Sequence, residues 1–354
     1  KEKKSDIQCF TIETIGSQDK GIIDDLPYAR KVAKHLNVSL DVVTVDHNNI
    51  AQDLQYMVTQ LDEPLADPAA LNVFYICQLA KKQGIKVLLS GAGGDDLFSG
   101  YRRHYAISLQ KYLNLIPLKA QKIIEEQTKI WAKNSSFQRK ISKFFNGSSL
   151  SNSDRLVNYF RWTNDSLLKS LYTKDFTNNL SSSLAEDPMT DFISTVTSSH
   201  SKLDQLLLLE QRFFLPDHNL NYTDKMSMAS GVEVRVPFLD LDLVKFSATL
   251  PDKYKQNGQT GKWVLKKAME PFLPKEVIYR PKTGFGVPLR RWMKFELKEL
   301  MIDLLSTDSI NRRGIFKASK VHRLIEDNEK DKIDASYTLL SILCIEIWCR
   351  AYLD

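Results

Sequence analysis

The chain has 354 residues, of which 43% are hydrophobic and 26% charged, a globular composition that excludes disorder, collagen and coiled-coil fibre. Length alone sets a prior of about two domains, with enough interior that neither disulfides nor metals are needed for stability. Lysine and arginine number 49 against 43 acids, and the resulting +6 is spread along the chain, too weak to argue for nucleic acid.

In chain order, Ile7 to Ile12 (IQCFTI) is a β-rich run closed by Gly16. Leu26 to Leu36 has apolar residues at helical spacing, and Leu40 to Val45 (LDVVTV) is a second strand. Ala69 to Lys82 places Leu71, Tyr75 and Leu79 on one helical face and ends at Gly84. Lys86 to Leu89 (KVLL) is a third strand that runs into SGAGGDD. Alternating strand and helix implies parallel pairing with right-handed crossovers, hence a doubly wound α/β layer over residues 1–108. Tyr105 to Lys133 then reads as helix broken near Pro117. Asn134 to Ser153 and Thr177 to Ser183 read as exposed loops, within a helical insertion over 109–202. Helices return over 203–354, ending with an amphipathic segment from Ser336 to Leu353.

The four cysteines, Cys9, Cys77, Cys344 and Cys349, form no CxxC pair and read as buried small hydrophobes in a reducing compartment. The most apolar stretch, Tyr337 to Leu353, carries Glu346 and Arg350 and falls short of the ~20 residues a bilayer span requires. No apolar signal core follows the opening Lys-Glu-Lys-Lys. The expectation is a soluble, cytoplasmic protein without a membrane partner.

Four strings can carry chemistry. The first is Ser90 to Tyr101 (SGAGGDDLFSGY), placed by the third strand at a carboxyl end, where open α/β sheets bind ligands. Its glycines let backbone approach a ligand, and Asp95 and Asp96 are hard donors suited to Mg²⁺. A plain glycine turn with Asp96 as a helix N-cap explains the same spacing. It fits neither GxxxxGK[ST] nor GxGxxG. The second runs from Asp224 to Asp240 (DKMSMASGVEVRVPFLD), where Glu233, Arg235 and Asp240 lie among apolar residues and are expected to be partly buried and paired. The third is Gly258 to Lys267, with Lys262 at a helix start where it could face a phosphate; a solvated lysine face is the bland alternative. The fourth, Tyr279 to Pro288, is a basic loop containing glycine. His35, His47, His104, His200, His218 and His322 are scattered, so zinc is not expected.

Taken in this order, the strings resemble the synthetase half of the asparagine synthetase family. SGAGGDDLFSGY is similar to its SGxGxDExFxGY loop and DKMSMASGVEVRVPFLD to its DRxSMAxxxExRxPFLD segment. GKWVLKKAM followed by FLP resembles its glycine-lysine helix, RPKTGFGVP its R-x-K-x-GF-x-x-P loop, and LDEPLADPAAL its DEP stretch. The match runs from about Ile7 to the C-terminus. It implies a sheet of the ATP pyrophosphatase (adenine-nucleotide α-hydrolase) type with a large helical C-terminal body, and ATP-dependent amidation through an acyl-adenylate. Carried over by position, Ile12, Ser90 and Gly91 would contact the adenosine, with Gly93 and Gly94 completing the ATP-binding turn. Asp95 would help bind Mg²⁺, and Lys262 would face the phosphates. Lys225, Glu233 and Arg235 would wall the substrate site.

The implied substrates are ATP, aspartate and ammonia supplied by a separate glutaminase domain, and a homodimer is compatible with the family. Two departures matter. Position 92 is alanine where many relatives carry an acid. The family's first strand, its SGGxDS pyrophosphate loop and its glutaminase half have no counterpart in these residues. The expectation is that they are the downstream part of a longer protein and bind ATP poorly alone. Two rivals stand beside aspartate amidation: amidation of another acid, such as a sugar uronic acid or a peptide carboxylate, and a non-catalytic nucleotide-binding or scaffold module.

Overall fold

A computed structural model describes residues 7–13, 25–113, 115–131, 145, 147, 150, 152–163, 165–180, 184–197, 199–281, 284 and 286–354. Strand β1 (Gln8–Glu13) pairs in parallel with β2 (Ser39–Thr44), in register from Gln8 opposite Ser39 to Glu13 opposite Thr44. Helix α1 (Leu26–Leu36) makes the crossover, opening at Pro27 and ending at a left-handed Asn37, where Asn37 N–H donates to the Lys34 carbonyl and Val38 N–H to the Ala33 carbonyl. After β2 comes α2 (Ile50–Gln60), which the sequence reading does not anticipate. Its signal was present, since the buried Ile50, Leu54, Met57 and Val58 recur at helical spacing. Helix α3 (Ala69–Lys82) has the expected bounds.

The third strand, β3 (Val87–Leu89), departs from expectation. Its partner is β4 (Glu233–Arg235), with Val87 opposite Glu233 and Leu89 opposite Arg235. Glu233 N–H donates to the Lys86 carbonyl and Ser90 N–H to the Arg235 carbonyl, both at 2.8 Å, closing the ladder at each end. Among the described residues the parallel pairing forms two two-stranded sheets, and a doubly wound layer joining them is not directly seen. Helix α3 packs on β1, while helix Asn221–Ser230 packs on both α3 and β4 and so links the two pairs. Leu89 is 74% exposed, unlike a strand buried on both faces. The architecture is mixed α/β with mostly helix.

Beyond β3 lie α4 (Gly94–Phe98) and α5 (Arg102–Ser108), followed by helices Gln110–Leu113 and Leu118–Trp131, separated near Pro117 as expected. Most of Asn134 to Ser153 lies outside the described residues, as do Gly16, 181–183, Lys282, Thr283 and Phe285. Thr177 and Asn178 belong to helix Lys174–Asn179, not to a loop.

The main core joins Val45, α2 and α3 to the closing helix Ser336–Tyr352. Leu339, Leu340, Leu343 and Cys344 are fully buried there, so this helix is enclosed more completely than an amphipathic surface helix. A second cluster packs Ile107, Leu156 and Ile193 against Leu203, Leu206, Leu207 and Leu209. Burial pushes the Cys77 thiol up to about 11 and Cys344 up to about 12, so both behave as inert hydrophobes. Among the described residues no helix is long and apolar enough to cross a membrane.

Candidate active site

Where β3 ends, the backbone turns sharply. Ser90 Oγ accepts from Ala92 N–H at 3.2 Å, and Gly93 adopts φ +88 before α4 begins. A Cβ on Gly93 would stand 2.4 Å from Leu239 Cδ2, so both the left-handed angle and close packing demand glycine. Asp95 and Asp96 occupy the first turn of α4, where acids suit the positive end of the helix dipole. Gly100 lies directly beneath Asp95: a Cβ there would overlap Asp95 Oδ1 at 1.5 Å, and its N–H donates to the Asp95 carbonyl at 2.8 Å.

Lys262 reaches this turn from far along the chain. The hairpin Gln256–Gly261 pairs Gln256 with Gly261 and carries Lys262 to the start of helix Trp263–Met269. Lys262 N–H is shared between the Phe98 carbonyl (2.9 Å) and the Ser99 carbonyl (3.2 Å). Its Nζ stands 3.1 Å from Asp95 Oδ1, with both side chains about three-quarters covered. A Cβ on Gly261 would meet the Ser99 carbonyl oxygen at 2.1 Å. Ser99 (φ +66) and Lys262 (φ +52) are both left-handed without being glycine, each at a cost of ~1–3 kcal/mol that surrounding contacts must offset.

Behind the turn lies a buried polar network. Asp96 is turned inward at 1% exposure and is not the N-cap, a position held by Gly93. Its Oδ2 accepts from the Tyr101 hydroxyl at 3.5 Å, and that hydroxyl accepts from Asn219 Nδ2 at 3.0 Å. Burial, reinforced by the charges of Glu210 and Asp95, pushes the Asp96 carboxyl up to about 7. Glu210, fully buried, accepts from Arg103 Nε, from Arg103 Nη2 at 2.5 Å and from His104 Nε2 at 2.9 Å. Burial raises the Glu210 carboxyl, but these donors outweigh it and hold the group below its ordinary value. His104 is lowered by burial and hence neutral; Tyr101 N–H donates to its Nδ1 at 3.3 Å, which leaves the proton on Nε2 to face Glu210. The Arg103 guanidinium lies 4.4 Å over both the Tyr101 and Phe214 rings.

The network depends on a π-helix, Glu210–Leu220, interrupted by Pro216. Its wide turns present Glu210, Gln211, Phe214, His218 and Asn219 toward α4, α5 and the DEP stretch. His218 Nε2 stands 2.7 Å from Asp67 Oδ2 and stacks on Phe214.

The structure thus brings Ser90, Gly91, Gly93, Gly94, Asp95 and Lys262 to one turn. Glu233 and Arg235 stand on the neighbouring strand, paired with each other at 2.8 Å as expected. Their expected burial is corrected: at 53% and 62% exposure they lie on the open face of a two-stranded sheet. Lys225 pairs with Asp62 at 2.5 Å, in the DEP stretch. Ile12 lies on the other sheet, opposite Val43. Sequence reasoning missed Glu210, Arg103 and His104; a Glu at the head of an interrupted helix is too common to signal burial.

For Mg²⁺, Asp95 offers a hard oxygen at the turn. Among the described residues no group of three His, Cys, Asp or Glu is placed to hold a metal. A chain supplying one carboxylate fits an ion that takes its remaining ligands from substrate phosphates and water.

The chain matches the family described as Asparagine synthase over residues 1–350. It is 28% identical over 335 residues to the glutamine-hydrolyzing asparagine synthetase 1 of Bacillus subtilis, covering 95% of this chain and 51% of that protein. A putative glutamine-hydrolyzing asparagine synthetase of Mycobacterium tuberculosis is 28% identical over 333 residues, with 92% and 47% covered. Amidase chyE of Penicillium rubens is 23% identical over 335 residues, with 91% and 49% covered. The chain spans about half the length of these relatives.

Proposed function

Because the chain belongs to the asparagine synthase family, we propose that it is the synthetase part of an ATP-dependent amide ligase acting on aspartate. The observation that carries this reading is the convergence of the glycine turn with Lys262, whose ammonium stands 3.1 Å from Asp95 although 167 positions separate the two in sequence.

The substrate carboxylate attacks the α-phosphorus of ATP, the bond to pyrophosphate breaks, and an acyl-adenylate forms. Ammonia then attacks the acyl carbon, AMP leaves with the bonding electrons, and the nitrogen gives up one proton. The difficulty of the first step is charge accumulating on the departing pyrophosphate. Lys262 answers it as a compact point cation, held at the turn by its pairing with Asp95. Ser90, Gly91, Gly93 and Gly94 let the backbone approach the nucleotide, and Asp95 would hold Mg²⁺, which would supply neutralisation of phosphate charge. Glu233, Arg235, Lys225 and Ile12 keep the binding roles that the family resemblance implies. Ammonia comes from a glutaminase domain on the same or a neighbouring polypeptide.

The test is exchange of radiolabelled pyrophosphate into ATP by the protein expressed from its complete gene, with Mg²⁺ and a panel of acids. Aspartate-dependent exchange is expected, and Lys262→Ala should lower it by about a thousandfold while ATP affinity changes little. Ala92 is the feature that favours another acid; exchange with a sugar uronic acid or peptide carboxylate but not aspartate reassigns the substrate. No exchange with any acid leaves only the scaffold module.

A further inference from the structure

Gln256 belongs to none of the strings that carry the family resemblance, yet it lies buried against the end of α4. We propose that Gln256, acting through Ser99, is the positioning residue that sets Lys262 against Asp95, an inference that rests on the amide-ligase reading above.

The lysine side chain is a flexible four-carbon stem, so its ammonium is aimed only as well as its backbone is held. That backbone is held in a conformation lysine does not choose, φ +52, by the shared hydrogen bond from its N–H to the Phe98 and Ser99 carbonyls. Ser99 is thus an anchor beside Phe98, and it too is left-handed at φ +66. What holds Ser99 is its own hydroxyl, which donates to Gln256 Oε1 at 2.8 Å with both side chains buried. Gln256 is oriented in turn because its Nε2 donates to the Gly258 carbonyl at 2.8 Å, across the tip of the hairpin. One amide group thus ties the hairpin to α4 at the residue that accepts from Lys262. The arrangement closes on itself, since Gly100, next to Ser99, donates to the Asp95 carbonyl while Asp95 meets the Lys262 ammonium. There is no slack for a substitute contact: a Cβ on Gly261 would already collide with the Ser99 carbonyl.

Loss of the amide should let Ser99 and Lys262 relax toward ordinary backbone angles and swing the ammonium away from the turn. The cost should fall on the transition state, where a misplacement of about 1 Å can cost a hundredfold, and not on nucleotide affinity. Two measurements on the protein from its complete gene test this, using Gln256→Ala, Ser99→Ala and the double variant. Hydrogen exchange at the Lys262 amide reports the tie without any substrate, and protection should fall in each single variant with no further fall in the double. Pyrophosphate exchange reports catalysis; kcat should fall about ten- to a hundredfold with the KM for ATP within about twofold. Ser99→Ala removes one oxygen only and serves if Gln256→Ala fails to fold. Unchanged amide protection overturns the tie, and lost protection with unchanged kcat, or with raised KM alone, overturns the positioning role. If the unaltered protein exchanges no pyrophosphate, the amide-ligase reading fails and takes this inference with it, whatever the amide protection shows.

Discussion

Two arginine–glutamate pairs in this molecule stand in opposite surroundings. Arg235 and Glu233 meet at 2.8 Å on an open strand, both more than half exposed. Arg103 and Glu210 meet in the interior, where the glutamate has no solvent contact, His104 adds a second donor and aromatic rings cover the guanidinium. In water the attraction between such groups is nearly cancelled by hydration and side-chain entropy. In the interior the attraction is larger, but so is the cost of having removed both charges from water. The exposed pair is thus energetically quiet, whereas the buried one is costly to break. Burial is what makes the consequence of a mutation so different at the two pairs.

The largest effect should come from Glu210→Ala, which strands Arg103 in the interior and should cost about 3–5 kcal/mol in denaturant unfolding. A loss below about 1 kcal/mol would erase the contrast between the two pairs. Next is Asp96, whose carboxyl is raised to about 7 in the folded chain from an ordinary 3.8. Between those values the folded state keeps a proton that the unfolded chain releases, so this contribution is full below about 3.8 and lost as pH rises through about 7. Without divalent metal, stability should decline by up to about 4 kcal/mol across that window, and Asp96→Asn should flatten the decline. A pH profile identical in both forms would remove Asp96 from the buried network. His104→Ala takes one donor from Glu210 while leaving Arg103 in place, and about 1–3 kcal/mol should be lost. Smallest is Glu233→Ala, for which the thermal midpoint should not move at any salt concentration; a clear drop would show that the strand pair is not quiet after all.

The strings around Ser90, Lys225, Lys262 and Arg280 were legible because each is a local pattern of glycine, acid and lysine. The glycine turn itself was readable in the same way, and the structure adds the left-handed φ of +88 and the close approach of Leu239 as the reasons for glycine at position 93. Helix α3 came out with its bounds because its apolar spacing and following Gly84 are local signals. Helix α2 was not anticipated although its buried Ile50, Leu54, Met57 and Val58 recur at helical spacing. The pairing of β3 with β4 was not legible: a three-residue strand among charged residues has no period to recognise. Glu233 and Arg235 were read as buried because their sequence neighbours are apolar, but alternation along a strand sends those neighbours to the other face.

From sequence alone came the family, the glycine turn at a strand end and a lysine at a helix start, all features set by residues within a few positions of one another. Only the tertiary structure decided that Lys262 meets Asp95, that Ser99 is held by Gln256, and which acids are buried and hence shifted. The reason is that φ angles and helical spacing answer to chain neighbours, whereas solvation and charge answer to whatever lies nearby in space. At this site those neighbours come from segments more than a hundred residues away.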